Sequence, residues 1–413
     1  MELSLLRRKY PRFIYKGYSF ALSKGNLAIS FDFAVPASPA DGPPDISFHP
    51  RVLIKNVPQK DIKRVGEKTL RNLVFHLGLM EIPSYWKATC SPEIIVEAGY
   101  LNARQISWWK DLIMQGMGEY FYKNKIDFTK SNFLSIISLA KSRSGKLNLV
   151  KESLTKLSLR EKVLVPVGGG KDAAVTLELL KQAKIPLHPF MLNPKKEQLA
   201  IARISKTGDS LVVERSMDPK LFELNRKGYL NGHTPFSAYL AFLAVLEAVL
   251  FDYKYVALSN ERSSNEGNVK YLGKIVNHQY SKSFEFEKKF REYSRLYLSK
   301  DVEYFSFLRP LYELQIAKLF SRYPQYFHAF LSCNEANKTK SGKKKPTGKW
   351  CGKCAKCLFV FLALSPFAGE KATINIFKKD LLRDKTLKPL LGDLTGKRKF
   401  KPFVSVGTIK ESK

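Results

Sequence analysis

The stretch VLVPVGGGKDAAVTLELLK, residues 163–181, decides how this chain reads. Its apolar run 163–167 has the length and β-branched content of a buried strand. Gly168, Gly169 and Gly170 follow at once, then Lys171 and Asp172, then a helical pattern over 173–183. Glycine lets the backbone take positive φ and approach a ligand with no Cβ between them. The N–H groups that open the next helix, together with the helix dipole, favour a bound anion. Strand, glycine turn and helix predict a phosphate site in which Lys171 adds positive charge and Asp172 holds Mg²⁺ or orders the turn. The spacing is not that of a Walker loop, nor of G-x-G-x-x-G with its ribose acid. A purely structural glycine turn is the competing reading.

Working outward, residues 189–192, 210–214 and 255–258 read as further buried strands. A helix is predicted to begin near Thr234 and Pro235, a hydroxyl N-cap followed by proline. Strands alternating with helices argue for an α/β fold with a parallel sheet covered on both faces. Upstream, residues 13–15 and 27–33 read as strands parted by a Lys24-Gly25-Asn26 turn, and 46–48 and 52–54 as short strands. A loop spans 36–44, and apolar stripes predict helices over 67–80 and 103–122. These assignments give an α+β N-terminal domain at 1–140 and a basic, weakly patterned linker at 141–162. A nucleotide-binding domain follows at 163–385, then a basic, partly ordered tail at 386–413.

The 413 residues carry 70 Lys+Arg against 37 Asp+Glu, a formal net charge of +33. Such a field attracts nucleotides, nucleic acid or anionic membrane. A proteome rich in lysine would give the same number, so charge alone decides nothing. No stretch has the pattern of an export signal or a membrane span, since the longest apolar run, 235–251, is interrupted by Ser237, Tyr239 and Glu247. A cytoplasmic protein without a membrane partner is expected.

Two further constellations bear on chemistry. Asn231-Gly232-His233-Thr234-Pro235 stands at a predicted helix start, where backbone donors meet an anion. SNERSSNEGN, 259–268, directly follows the strand YVAL, and parallel sheets bind ligands at strand C-terminal ends. Ser259, Asn260 and Arg262 are therefore expected to line the nucleotide cleft with the glycine turn, and Glu261 to bind metal or act as a base. A polar surface loop with a local Glu261–Arg262 pair is the plainer reading. Of the five cysteines, Cys90 reads as a buried apolar-like residue. Cys333, Cys351, Cys354 and Cys357 have the spacing of a tetrahedral four-thiolate site, closed and hence structural. Zn²⁺ is the expected ion, with an iron–sulfur cluster as rival.

The glycine turn resembles the pyrophosphatase loop S-G-G-x-D-S of enzymes that cleave ATP to AMP and diphosphate. Gly168 and Ala173 stand where that motif has serines, so the resemblance implies binding by backbone rather than hydroxyl. The cysteines resemble those of 7-cyano-7-deazaguanine synthase. The chain as a whole is similar to the ATP-dependent UDP-N-acetylmuramoyl-L-alanyl-L-glutamate epimerases (MurL). The likeness rests on FHLGLMEIPSYWKATCSPEIIVEAGYLN (75–102), VPVGGGKDAAVTLELL (165–180), NGHTPFSAYLAF (231–242), SNERSSNEGN and WCGKCAKCLFVFLALSPF (350–367).

The resemblance implies a doubly wound parallel sheet of the pyrophosphatase-loop (HUP-like) type and an epimerase of peptidoglycan precursor synthesis. Its partners would be ATP, Mg²⁺ and a UDP-linked muramoyl dipeptide. Residues Gly168 to Asp172 would hold the phosphates, and His233, Glu261 and Lys171 are candidate bases. An alternative is a tRNA-modifying adenylating enzyme, favoured by the lysine-rich loop 335–349. No aromatic RNA-binding motif accompanies that loop, so nucleic acid is not the expected partner.

Overall fold

The computed structural model describes residues 1–39, 44–139, 154–337, 347–398 and 400–413. Most of the expected linker, part of the 36–44 loop and the centre of the lysine-rich loop lie outside them. The chain forms two compact units, each threaded discontinuously. The first comprises Met1–Ser158, Val213–Phe251 and Tyr293–Asp301; the second comprises Leu159–Val212, Asp252–Glu292 and Val302–Lys413. It is an α/β protein with mixed strand pairing.

In the first unit, strands Arg12–Ser23 and Asn26–Val35 form a long antiparallel hairpin. Lys24 and Gly25 both take positive φ, +48° and +71°, which matches the right-handed twist of the strands it joins. Leu27, Ile29, Phe31, Phe33 and Val35 point to one buried face, as period-two alternation requires. Arg51–Ile54 pairs antiparallel with Asn26–Val35, whereas Glu93–Val96 and Ser135–Ser138 extend the hairpin in parallel. The helix Glu67–Trp86 outruns the predicted 67–80. It packs so closely that a Cβ on Gly78 would meet the Tyr15 ring.

The predicted helix 103–122 breaks at Met117 into Ala103–Gly116 and Gly118–Lys123. Thr234 does not cap the next helix: Phe236–Leu250 starts a turn-residue later, with Pro235 at its N-cap and no side-chain bond. The strand expected at 210–214 forms as Leu211–Ser216 beside Leu187–Leu192, and from Val213 onward its other edge pairs antiparallel with Arg51–Ile54. Arg215 on that strand donates to both oxygens of the buried Glu81.

Within Phe236–Leu250, Glu247 is fully buried and neither carboxylate oxygen has a hydrogen-bond partner. Burial pushes its pKa well above the ordinary carboxyl range. Glu247→Leu is therefore expected to stabilise the protein, by about 1–3 kcal/mol if the unpaired group now carries its full desolvation cost. Because the folded-state pKa is raised, the wild type should lose stability as pH climbs above about 4.5. The variant should not show that component. Thermal unfolding of both proteins from pH 4 to 8 checks this.

In the second unit, four parallel strands lie in the order Glu303–Ser306, Tyr253–Leu258, Arg160–Pro166, Leu187–Leu192. From Arg160–Pro166 the chain goes first to the neighbour on one side and later to the neighbour on the other. Such a reversal opens a crevice at the carboxyl ends of the two central strands. The glycine turn leaves one of those ends and Ser259 leaves the other. Among the described residues, no helix is long and apolar enough to cross a membrane.

Candidate functional site

The turn 168–170 joins Arg160–Pro166 to the helix Lys171–Gln182, whose N-cap is Gly170 with no side-chain bond to its first turn. Only Gly169 has positive φ, +84°, and a Cβ there would lie 2.8 Å from Glu197 Cγ. Gly168 has open space around its would-be Cβ, and a Cβ on Gly170 would meet only Ser332 at an ordinary 3.5 Å, so Gly169 is the demanding position of the three. The turn's carbonyls are held: Gln198 Nε2 donates to Val167 O at 2.9 Å and Leu331 N to Gly169 O at 2.8 Å. Gly169→Ala is expected to cost about 1–3 kcal/mol through backbone strain, whereas Gly168→Ala should be near neutral. Denaturation midpoints of the two variants make the comparison.

Lys171 is 2% exposed, and its ammonium lies between the carboxylates of Asp172 and Glu313. Burial alone would lower its pKa. The two carboxylates outweigh burial and hold it above the usual lysine range. Lys171 is thus an ammonium at neutral pH, able to attract phosphate and unable to accept a proton. Asp172 is drawn below its ordinary pKa by Lys171 and then Lys356, against burial.

Glu313 is 1% exposed and opens the helix Glu313–Phe320. Its second oxygen faces Lys356 Nζ at 3.8 Å. The Glu313 N–H donates to Ser263 Oγ at 3.2 Å, and Arg262 N donates to Leu311 O at 2.8 Å. These bonds fasten the start of that helix to the segment after Tyr253–Leu258. Glu261, on that segment, is 3% exposed. Burial first, and then the neighbouring Glu313, raise its carboxyl to about 7.

The other predicted residues divide. Ser259 Oγ accepts from Thr176 Oγ1 at 2.9 Å, tying the second strand end to the helix after the glycine turn. Asn260 Nδ2 donates to Ser306 Oγ at 3.1 Å. Arg262 is exposed and stacks on Tyr312 at 5.2 Å; no Glu261–Arg262 pair forms. Arg309 organises this region instead. Its guanidinium donates to Glu261 O at 2.7 Å, Lys282 O at 2.6 Å and Glu287 Oε2 at 2.9 Å. His233 belongs to the first unit, with Nδ1 3.8 Å from Glu119 Oε2. There Lys87 Nζ donates to the Gly232 carbonyl at 3.2 Å.

The reading of the sequence missed Glu313, Lys282, Lys356, Arg309 and Glu411. Glu411, in the basic tail, accepts from Ser263 Oγ at 2.7 Å and from Leu314 N at 3.0 Å. The end of the tail is therefore held against the same segments. A Tyr-Glu-Leu-Gln capping pattern at 312–315 was the one local signal available for Glu313.

The four late cysteines come together. Their sulfurs stand 3.9 Å (Cys333 to Cys354), 3.7 Å (Cys351 to Cys357) and 3.5 Å (Cys354 to Cys357) apart. Four thiolates at about 2.3 Å from one tetrahedral ion would be about 3.8 Å apart. The cluster thus fits a single ion such as Zn²⁺. A cluster of several irons, each with its own thiolate, needs sulfurs spread further. Cys90 is buried, as expected.

Fold and site together define an α/β protein with a glycine turn at a sheet switch point, a buried carboxylate–ammonium cluster beside it and a cluster of four cysteines. Residues 5–307 match the MurL N-terminal domain and residues 329–413 the MurL C-terminal domain. The chain belongs to the MurL family. It is 35% identical over 338 residues to the UDP-N-acetyl-alpha-D-muramoyl-L-alanyl-L-glutamate epimerase of Xanthomonas oryzae pv. oryzae, covering 82% of this chain and 72% of that protein. A Micromonospora protein of the same name is 33% identical over 405 residues, 98% of this chain and 86% of its own length.

Proposed function

We propose that this protein epimerises the terminal L-glutamate of UDP-N-acetylmuramoyl-L-alanyl-L-glutamate to D-glutamate, in the cytoplasm, at the expense of ATP. The observation that carries the mechanism is Glu261: a buried carboxyl titrating near 7 beside a glycine turn. The ATP-binding fold is read as the pyrophosphatase-loop type.

A glutamate carboxylate resists loss of its α proton because the carbanion would sit beside negative charge. Attack of one carboxylate oxygen on the α phosphorus of ATP expels diphosphate and gives an acyl adenylate. The α proton next to the uncharged acyl group is then far more acidic. Glu261, with a proton affinity near the working pH, removes it. Reprotonation on the other face and attack of water on the acyl carbon release D-glutamate and AMP.

Residues 168–170 and the N–H groups of the following helix receive the phosphates, with Lys171 as a fixed positive charge. Asp172 would hold the Mg²⁺ that neutralises phosphate charge. Ser259, Asn260 and Arg262 would border the nucleotide from the adjacent strand end. Of the three groups considered as base, Lys171 is held as an ammonium and His233 stands with its Nδ1 3.8 Å from Glu119 Oε2. Glu261 is the one whose proton affinity suits the task. The four cysteines would hold a structural Zn²⁺, since a full set of four sulfur donors leaves no position for substrate.

Adenylation predicts the fate of oxygen. Substrate labelled with ¹⁸O in its glutamate carboxylates should pass one ¹⁸O into AMP, because water cleaves the acyl–oxygen bond. Unlabelled AMP, read by mass spectrometry, would exclude the acyl adenylate.

A further inference from the structure

The four-thiolate cluster and the phosphate site share chain segments at two points. Leu331, whose N–H holds the Gly169 carbonyl at 2.8 Å, lies two residues before Cys333. Ser332, between them, would lie 3.5 Å from a Cβ on Gly170. Lys356 lies between Cys354 and Cys357, at the start of the helix Ala355–Ala368. It is 5% exposed, and its Nζ reaches both Glu313 Oε1 at 3.8 Å and the Ser405 carbonyl. Glu313 in turn holds Lys171. The Ser405 hydroxyl accepts from Lys282 Nζ at 3.2 Å.

We propose that the four-cysteine centre is a positioning element of the nucleotide site, acting through Leu331 on the glycine turn and through Lys356 on the Glu313–Lys171 pair. This rests on the ATP reading above. A four-coordinate ion fixes all four sulfurs, and so fixes the backbone one or two residues away. The turn and Lys356 come from segments more than 180 residues apart in the chain, and the cysteines at 333, 351, 354 and 357 fasten the two to each other. Lys356 is a buried lysine whose Nζ faces the Glu313 carboxylate at 3.8 Å. Fixing its place keeps the Glu313 carboxylate directed at Lys171, and so keeps Lys171 aligned at the helix start where the phosphates bind. Lys356 touches no reacting atom in this account; it is a positioning residue.

The test is equilibrium binding of ATP and of inorganic diphosphate by calorimetry. It compares full-length protein as purified, chelated protein, chelated protein reloaded with Zn²⁺, and the variants Lys356→Met and Lys356→Arg. Metal content and thermal midpoint are measured on each. Chelation is expected to weaken both ligands, with recovery on reloading. Lys356→Met should weaken them roughly 10- to 100-fold, the loss typical of removing a charged hydrogen-bond partner. It should do so at full metal content, and Lys356→Arg should restore most of the affinity. Unchanged affinity in Lys356→Met, or in folded protein stripped of metal, overturns the proposal. If chelation unfolds the protein, Lys356→Met at full metal content decides alone. Wild-type protein that binds neither ligand would remove the ATP reading beneath it as well.

Discussion

Glu261→Gln is expected to lower epimerisation by about 10²–10⁴-fold, the usual contribution of a positioned general base. AMP formation from ATP and substrate should survive, because the amide removes proton transfer and leaves the glycine turn, Lys171 and Asp172 in place. The variant should thus spend ATP without inverting glutamate. Parallel assays of AMP and of D-glutamate measure the two steps separately. Loss of both in equal measure would give Glu261 a metal-binding or structural role instead. The pH dependence follows from the same group. Burial and Glu313 raise Glu261 to about 7, and only its carboxylate accepts a proton. The wild-type kcat/KM, which reports the free enzyme, should therefore rise as pH increases through about 7. A profile already flat from pH 5.5 upward would count against Glu261 as the base.

Glu313→Leu should be among the most destabilising single changes in the second unit. It leaves the Lys171 ammonium with Asp172 alone and removes the carboxylate facing Lys356, both in buried surroundings. Breaking one partner out of a buried ion pair costs about 3–5 kcal/mol, because the remaining charge loses its compensation. For a protein of this size that is a fall in Tm of roughly 4–6 °C. The double variant Glu313→Leu/Lys356→Met should recover part of the loss, since it removes a buried charge of each sign. Calorimetric midpoints of the single and double variants close the cycle. A single-variant shift below about 2 °C would mean that solvent already screens the cluster.

How far the sequence carried the reading follows from the range of each interaction. The glycine turn, its strand and its helix are contiguous, so residues 163–181 announced them. The cysteines were legible because two successive C-x-x-C spacings and a fourth cysteine are what a tetrahedral ion would require. Strand type was also readable, but strand partners were not. Residues 211–216 and the helix after them look locally like one more strand–helix step of the parallel set. The strand does lie next to Leu187–Leu192, yet on its other edge Val213 pairs antiparallel with Ile54 and the helix belongs to the first unit. Local pattern sets the element; its neighbour is chosen by packing at long range.

The same limit hid the charge cluster. Lys171 meets Glu313 across 142 residues, and nothing near Glu313 marks it as other than a helix-opening acid. Lys356 was masked by the motif around it, since a lysine between two cysteines reads as exposed filler. Gly168 shows the converse: nothing in a run of three glycines says which of them the backbone requires, and it is Gly169, at φ +84°, that does.

The central claim is that the phosphate site and Glu261 serve one reaction, ATP-driven inversion at the glutamate α carbon. Purified protein incubated with ATP, Mg²⁺ and UDP-N-acetylmuramoyl-L-alanyl-L-glutamate, followed by acid hydrolysis and chiral separation of glutamate, tests it directly. D-glutamate is expected, with AMP formed in at least equal amount and none of either without ATP. Glutamate that stays entirely L, with no AMP released, would contradict it.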